Sequence, residues 1–199
     1  MDTGWRDGFL FLGNQLSLDF LNTRPVLDGE PVELLADCKS LARWLLAAGI
    51  ATKIGADWEG NSKAEAGRKR LLTFRESLRE TVLRIEAGKP VPPRFLSYLN
   101  ELLAQHPFVE QIHGAGGDLL RSRVLDLQMP EDVFAPLLDH TLALLTATDY
   151  TRIRKCAACV LHFYDTSKKG TRRWCSMELC GNRHKVAAYA RRLRTDSSA

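Results

Sequence analysis

Four of the five cysteines in this 199-residue chain fall within residues 156–180, as Cys156-Ala-Ala-Cys159 and then Cys175-Ser-Met-Glu-Leu-Cys180. A Cys-x2-Cys pair and a Cys-x4-Cys pair supply four thiolates, the ligand set of a tetrahedral Zn2+ ion. The first pair shares a tight knuckle and can aim both sulfurs at one ion, and the second closes the opposite edge of the tetrahedron. No coordination position is left for water, so the pattern predicts one structural zinc and not a catalytic one. Some ~40 residues with so few large apolar side chains bury little surface, so the metal is expected to drive their folding. His162, three residues past Cys159, is a conceivable substitute ligand, but four cysteines already complete the set.

The elements that must hold these sulfurs can be read around them. Leu161–Tyr164 and Thr171–Trp174 are short β-prone runs flanking the turn-prone 165–170, which predicts a hairpin between the cysteine pairs. After Cys180, Asn182 is a good N-cap for a helix over 183–194, with Val186, Tyr189, Ala190 and Leu193 on its inner face. Knuckle, hairpin and helix in that order make a treble-clef-like finger.

These residues carry a resemblance. Phe163-Tyr-Asp-Thr-Ser167, Arg172-Arg-Trp-Cys-Ser-Met177 and Cys180-Gly-Asn-Arg183 resemble the CGNR zinc finger, and Leu16-Ser-Leu-Asp-Phe-Leu-Asn-Thr23 is similar to the opening of the ABATE domain that precedes that finger in its family. The resemblance spans nearly the whole chain and implies a stress-induced transcription regulator that binds DNA.

Residues 1–150 read as a mainly helical domain with a small β-hairpin, and 151–199 as the finger, an α+β chain overall. Phe9–Leu12 is a short strand candidate. Helices are predicted after an Asp37 N-cap to Ala48, from a Ser62/Glu65 capping box to Gly88, around Phe95, Leu99 and Leu102, and over 133–148 with a bend or restart at Pro136. The Arg and Lys residues of the second helix, Arg68 and Arg75 included, alternate with glutamates and predict a solvated, salt-bridged face. Residues 108–113 and 118–126 flank a glycine cluster and predict a hairpin. That cluster does not open a helix after a strand, which excludes a phosphate loop. If 16–23 is helical, Asp19, Asn22 and Thr23 are candidates for a ligand pocket. The competing reading has them tie down the loop over 24–31.

Charge is divided along the chain. Residues 1–150 hold 16 Lys+Arg against 21 Asp+Glu, net −5, and 151–199 hold 12 against 3, net +9. A cationic finger on an acidic body predicts a polyanionic partner, duplex DNA first. The candidate DNA contacts are Arg172, Arg173, Asn182, Arg183, Lys185, Arg191, Arg192 and Arg194, with Lys168 and Lys169 at the turn. Arg172 and Arg173 have a second reading, because a four-thiolate zinc carries net −2 and draws cations for its own sake. The N-terminal domain is then expected to sense a small-molecule or protein signal, or to form a homodimer. An alternative is a protein- or RNA-interaction module in which the finger only stabilises.

The five histidines stand in no Ser/His/Asp, Cys/His or His-Glu-x-x-His arrangement, so no enzyme is expected. No apolar run reaches the roughly 20 residues of a membrane span, and the start lacks a signal-peptide layout. Clustered metal-binding thiols need reducing conditions, which predicts a cytoplasmic, bacterial protein.

Overall fold

A computed structural model describes residues 4–27, 29–55, 58–146, 149–182 and 185. The long helix α3 (Ser62–Glu86) is the axis on which the other elements pack. Leu71, Phe74, Leu78, Val82 and Ile85 recur at three- and four-residue steps and form its buried stripe. Its cap is Asn61, whose Oδ1 accepts from the Lys63 and Ala64 amides, so the predicted Ser62/Glu65 box does not form. Glu65 turns instead to Arg68 and to the Cys38 thiol.

Around this axis lie α1 (Leu16–Leu21), α2 (Cys38–Ala47), α4 (Pro93–Gln105) and α5 (Phe134–Thr146). Asp37 caps α2 in a reciprocal box with Ser40. A 3-10 turn, Pro130–Val133, leads into α5, and Pro136 lies in that helix's first turn, where a missing N–H breaks no helical bond. The core joins Leu18, Phe20, Leu41, Trp44, Phe74, Leu78, Phe134 and Leu137, with the Trp44 ring 5.4 Å from that of Phe20 and 6.4 Å from that of Phe11.

Two arginines predicted on the solvated face of α3 are buried. Arg75, 1% exposed, donates from Nη1 to Thr23 Oγ1 and to Glu33 Oε1, both at 2.8 Å, and Arg68 donates to Glu65 and to the Leu35 carbonyl. Sequence periodicity could not separate them from their neighbours, because their carboxylate and carbonyl partners come from other segments as well as from α3.

The described strands form antiparallel pairs: β1 (Trp5–Arg6) with β2 (Phe9–Leu10), β3 (Val26–Leu27) with β4 (Glu30–Pro31), β5 (Val109–Ala115) with β6 (Asp118–Val124), and β7 (Ile153–Lys155) with β8 (His162–Tyr164). The last pair docks on α1 and α3, and the segment 9–12 serves both sides of that junction. Phe9 and Phe11 enter the main core, whereas Leu10 and Leu12 join the cluster of Cys156, Leu161, Phe163, Cys175 and Cys180. This is the alternation of an extended chain, used to staple the finger to the helical body.

Candidate metal centre and its basic surroundings

The four cysteines come from three short pieces of chain. Cys156 and Cys159 turn the hairpin between β7 and β8, Cys175 precedes a helical turn, and Cys180 lies in that turn, Met177–Gly181. Their four sulfurs all lie within 4.8 Å of one another, with Cys159 and Cys175 3.7 Å apart and Cys175 and Cys180 3.6 Å apart. Sulfurs about 2.3 Å from a tetrahedral zinc lie about 3.8 Å from each other, so the residues present fit the ion. Three of the four residues are buried and Cys159 is half-buried. Four thiolates packed this closely repel one another, and burial adds to the cost of their charge. A divalent ion removes that conflict by supporting all four thiolates at once. The finger therefore binds one zinc ion through Cys156, Cys159, Cys175 and Cys180.

The predicted hairpin between the cysteine pairs is replaced by another. β8 pairs with β7, so the knuckle itself is the turn, and 171–174 is not a strand. Asp165 is the physical reason. Its fully buried carboxylate accepts from the amides of Ser167 and Arg172, both at 2.8 Å, which folds 165–172 into a loop. Burial alone would raise this carboxyl, but those hydrogen bonds hold it below its ordinary range. Arg152 completes the clamp by donating to the carbonyls of Asp165, Ser167 and Lys168. Neither residue is given this role by the sequence: Asp165 enters only within the turn-prone 165–170 and the Phe163-Tyr-Asp-Thr-Ser167 motif, and Arg152 carries no local signal.

Arg172 also faces inward. Its guanidinium donates to the carbonyls of Trp174 and Cys175 and lies 4.8 Å above the Phe163 ring. Arg173 is exposed and lies 5.3 Å from the centre of the Trp174 ring. Asn182 is not an N-cap: Ser176 caps the turn Met177–Gly181, accepting from the Leu179 amide, and Asn182 follows it in helical conformation, exposed, while the helix predicted over 183–194 lies outside the described residues except at 185. Lys185 is helical and exposed. Arg183, Arg191, Arg192 and Arg194 lie outside the described residues. The structure thus brings Arg172 and Arg173 to the metal loop, with Lys155, Lys168 and Lys169 exposed on the same finger.

Asp19, Asn22 and Thr23 are 8%, 3% and 2% exposed. Asp19 Oδ1 accepts from the Gly13 amide at 2.7 Å, and Thr23 Oγ1 donates to the Phe20 carbonyl at 2.7 Å. Asn22 reaches across the junction, its Nδ2 donating to the His162 carbonyl at 2.8 Å and its Oδ1 accepting from the His162 amide at 2.9 Å. Around it Tyr164 N donates to the Gly13 carbonyl and Lys155 N to Glu86 Oε1. The His162 ring belongs to this junction too, with Nε2 3.6 Å from Glu86 Oε2, and burial lowers its pKa to about 4. Strand alternation puts Phe163, not His162, in the cysteine cluster.

Comparison with known proteins agrees with this division of labour. The CGNR zinc finger model matches residues 152–193, and the ABATE model, described as "Putative stress-induced transcription regulator", matches residues 14–148. A search of curated proteins finds no match at a significant level. With a match over more than half its length at the helical body and a second at the cysteine cluster, the chain belongs to the ABATE family and carries a CGNR zinc finger.

Proposed function

We propose that this is a DNA-binding transcription regulator, not an enzyme, in which the zinc-ordered finger contacts the duplex and the helical body receives a signal. The observation that carries the reading is the group of exposed cations Lys155, Lys168, Lys169, Arg173 and Lys185 on a finger whose four cysteines are placed to hold one zinc ion. Cations so displayed bind phosphates and give an affinity that falls steeply with salt. Arg152 and Arg172 act differently, spending their donors on loop carbonyls and so positioning the surface. Arg183, Arg191, Arg192 and Arg194 extend the basic surface in sequence, and Asn182 and Arg183 are the candidates for reading base edges. No described helix is long and apolar enough to cross a membrane, and the reducing requirement of the four thiolates supports a cytoplasmic setting.

The test is selection of the zinc-loaded protein on a randomised duplex pool at near-physiological salt, beside a Lys168→Ala/Lys169→Ala/Arg173→Ala variant and an Arg183→Ala/Arg191→Ala/Arg192→Ala variant. An enriched motif in the wild type, with binding at least tenfold weaker in the variants, is expected. Equal binding by wild type and variants, or preference for single strands or RNA, would sink the duplex reading.

A further inference from the structure

The hairpin β5/β6 is built unlike the rest of the fold. Its register runs from Val109 opposite Val124 to Ala115 opposite Asp118 with no bulge. Apart from Ser122, every side chain described in these two strands is exposed. Val109, Ile112, Leu119 and Leu120 are 60%, 73%, 81% and 47% exposed. The ribbon is tied to the body near its base, where Arg123 pairs with Asp139 at 2.7 Å and lies 4.3 Å over the Phe108 ring. A two-stranded ribbon exposed on both faces is marginal in water. Strand edges are ordinarily protected by proline, lysine, a bulge or a covering element. β5 has no proline, lysine or bulge.

We infer that the β5 edge is a self-association surface, pairing antiparallel with β5 of a second copy about a two-fold axis through Ile112. Charge selects this occupant and this edge. Glu110 and Asp118 balance Arg121 and Arg123, so the hairpin has no net charge to attract nucleic acid or a strongly charged protein. A two-fold through the centre of β6 would oppose Arg121 to itself, with like charges directly across the strands. Centred on Ile112, β5 instead sets Ile112 against its copy, Gln111 against His113, and Glu110 against Gly114. No like charges meet. Because Ile112 is opposite Arg121 and Gly114 opposite Leu119, the four-stranded sheet carries Ile112 and Leu119 of both copies on one face.

A strand edge covers less than the ~800 Å² per partner of a standard stable interface, so the dimer forms in about the micromolar range. On DNA it presents two basic fingers, the arrangement that suits paired half-sites. The self-association itself does not depend on the DNA reading.

Sedimentation of the zinc-loaded chain over roughly 1–100 μM, a range bracketing such an interface, is the first experiment. A reversible dimer is expected, weakened at least tenfold by Ile112→Lys, which places two ammonium groups at the axis while leaving the circular dichroism unchanged. Ile112→Cys should give a disulfide-linked dimer on mild oxidation, because directly opposed antiparallel residues lie about 4.5–5.5 Å apart at Cα. Val109→Cys, displaced from the axis, should not. A monomer throughout the range, a dimer indifferent to Ile112→Lys, or failure of Ile112→Cys to cross-link each overturns the proposal.

Discussion

Replacing Asn22 with alanine tests whether the helical body and the metal site are one cooperative structure. Asn22 meets both main-chain groups of His162, 140 residues away, at 2.8 and 2.9 Å in a buried setting. Truncation leaves a buried N–H and C=O without partners at about 1–3 kcal/mol each, so a total loss of about 2–6 kcal/mol is expected. For a chain of this size that lowers Tm by roughly 4–24 °C. The loss should also appear in the metal. If 2 kcal/mol of it falls on the docked, zinc-loaded state, zinc binding weakens about 30-fold. The assay is urea unfolding of the zinc-replete protein, paired with zinc competition against a chromophoric chelator. Asn22→Asp should do no better than alanine, because its second carboxylate oxygen would face the His162 carbonyl. A change under about 0.5 kcal/mol, with zinc affinity unaltered, would refute the coupling and leave the finger an independent module.

Two further outcomes follow from the same contacts. Cys175→Ser, or chelation of the wild type, should remove the zinc and also expose amides of residues 9–12 to hydrogen exchange, since Leu10 and Leu12 pack on the cysteine cluster; unchanged exchange there would show that the staple holds without metal. Burial raises the Asp19 carboxyl to about 6 from 3.8, so between those values the folded state binds the proton more tightly and stability falls as pH rises. Measured by urea unfolding against Asp19→Asn, which keeps an oxygen for the Gly13 amide, the wild type should lose about 2 kcal/mol between pH 4.5 and 7.5, and a pH-independent difference would contradict the assignment.

The sequence by itself determined what depends on residue type and short spacing. Four thiolates at Cys-x2-Cys and Cys-x4-Cys spacing specify a tetrahedral ion, and the apolar period of α3, the Asp37 cap and the glycine turn of β5/β6 are all local signals. Tertiary structure decided which polar groups meet. Asp165 takes amides that would otherwise have been free to join a strand ladder, which moved the finger's hairpin from 161–174 to 153–164. Arg75 looks like its exposed neighbours until Glu33 and Thr23 arrive from distant segments to neutralise and bind it. Asn22 reads as a loop-capping or ligand residue from sequence, yet its amide is spent on a strand at the other end of the chain. Such pairings leave little trace in sequence spacing, because burying a charge or an amide becomes affordable only once the fold supplies the partner.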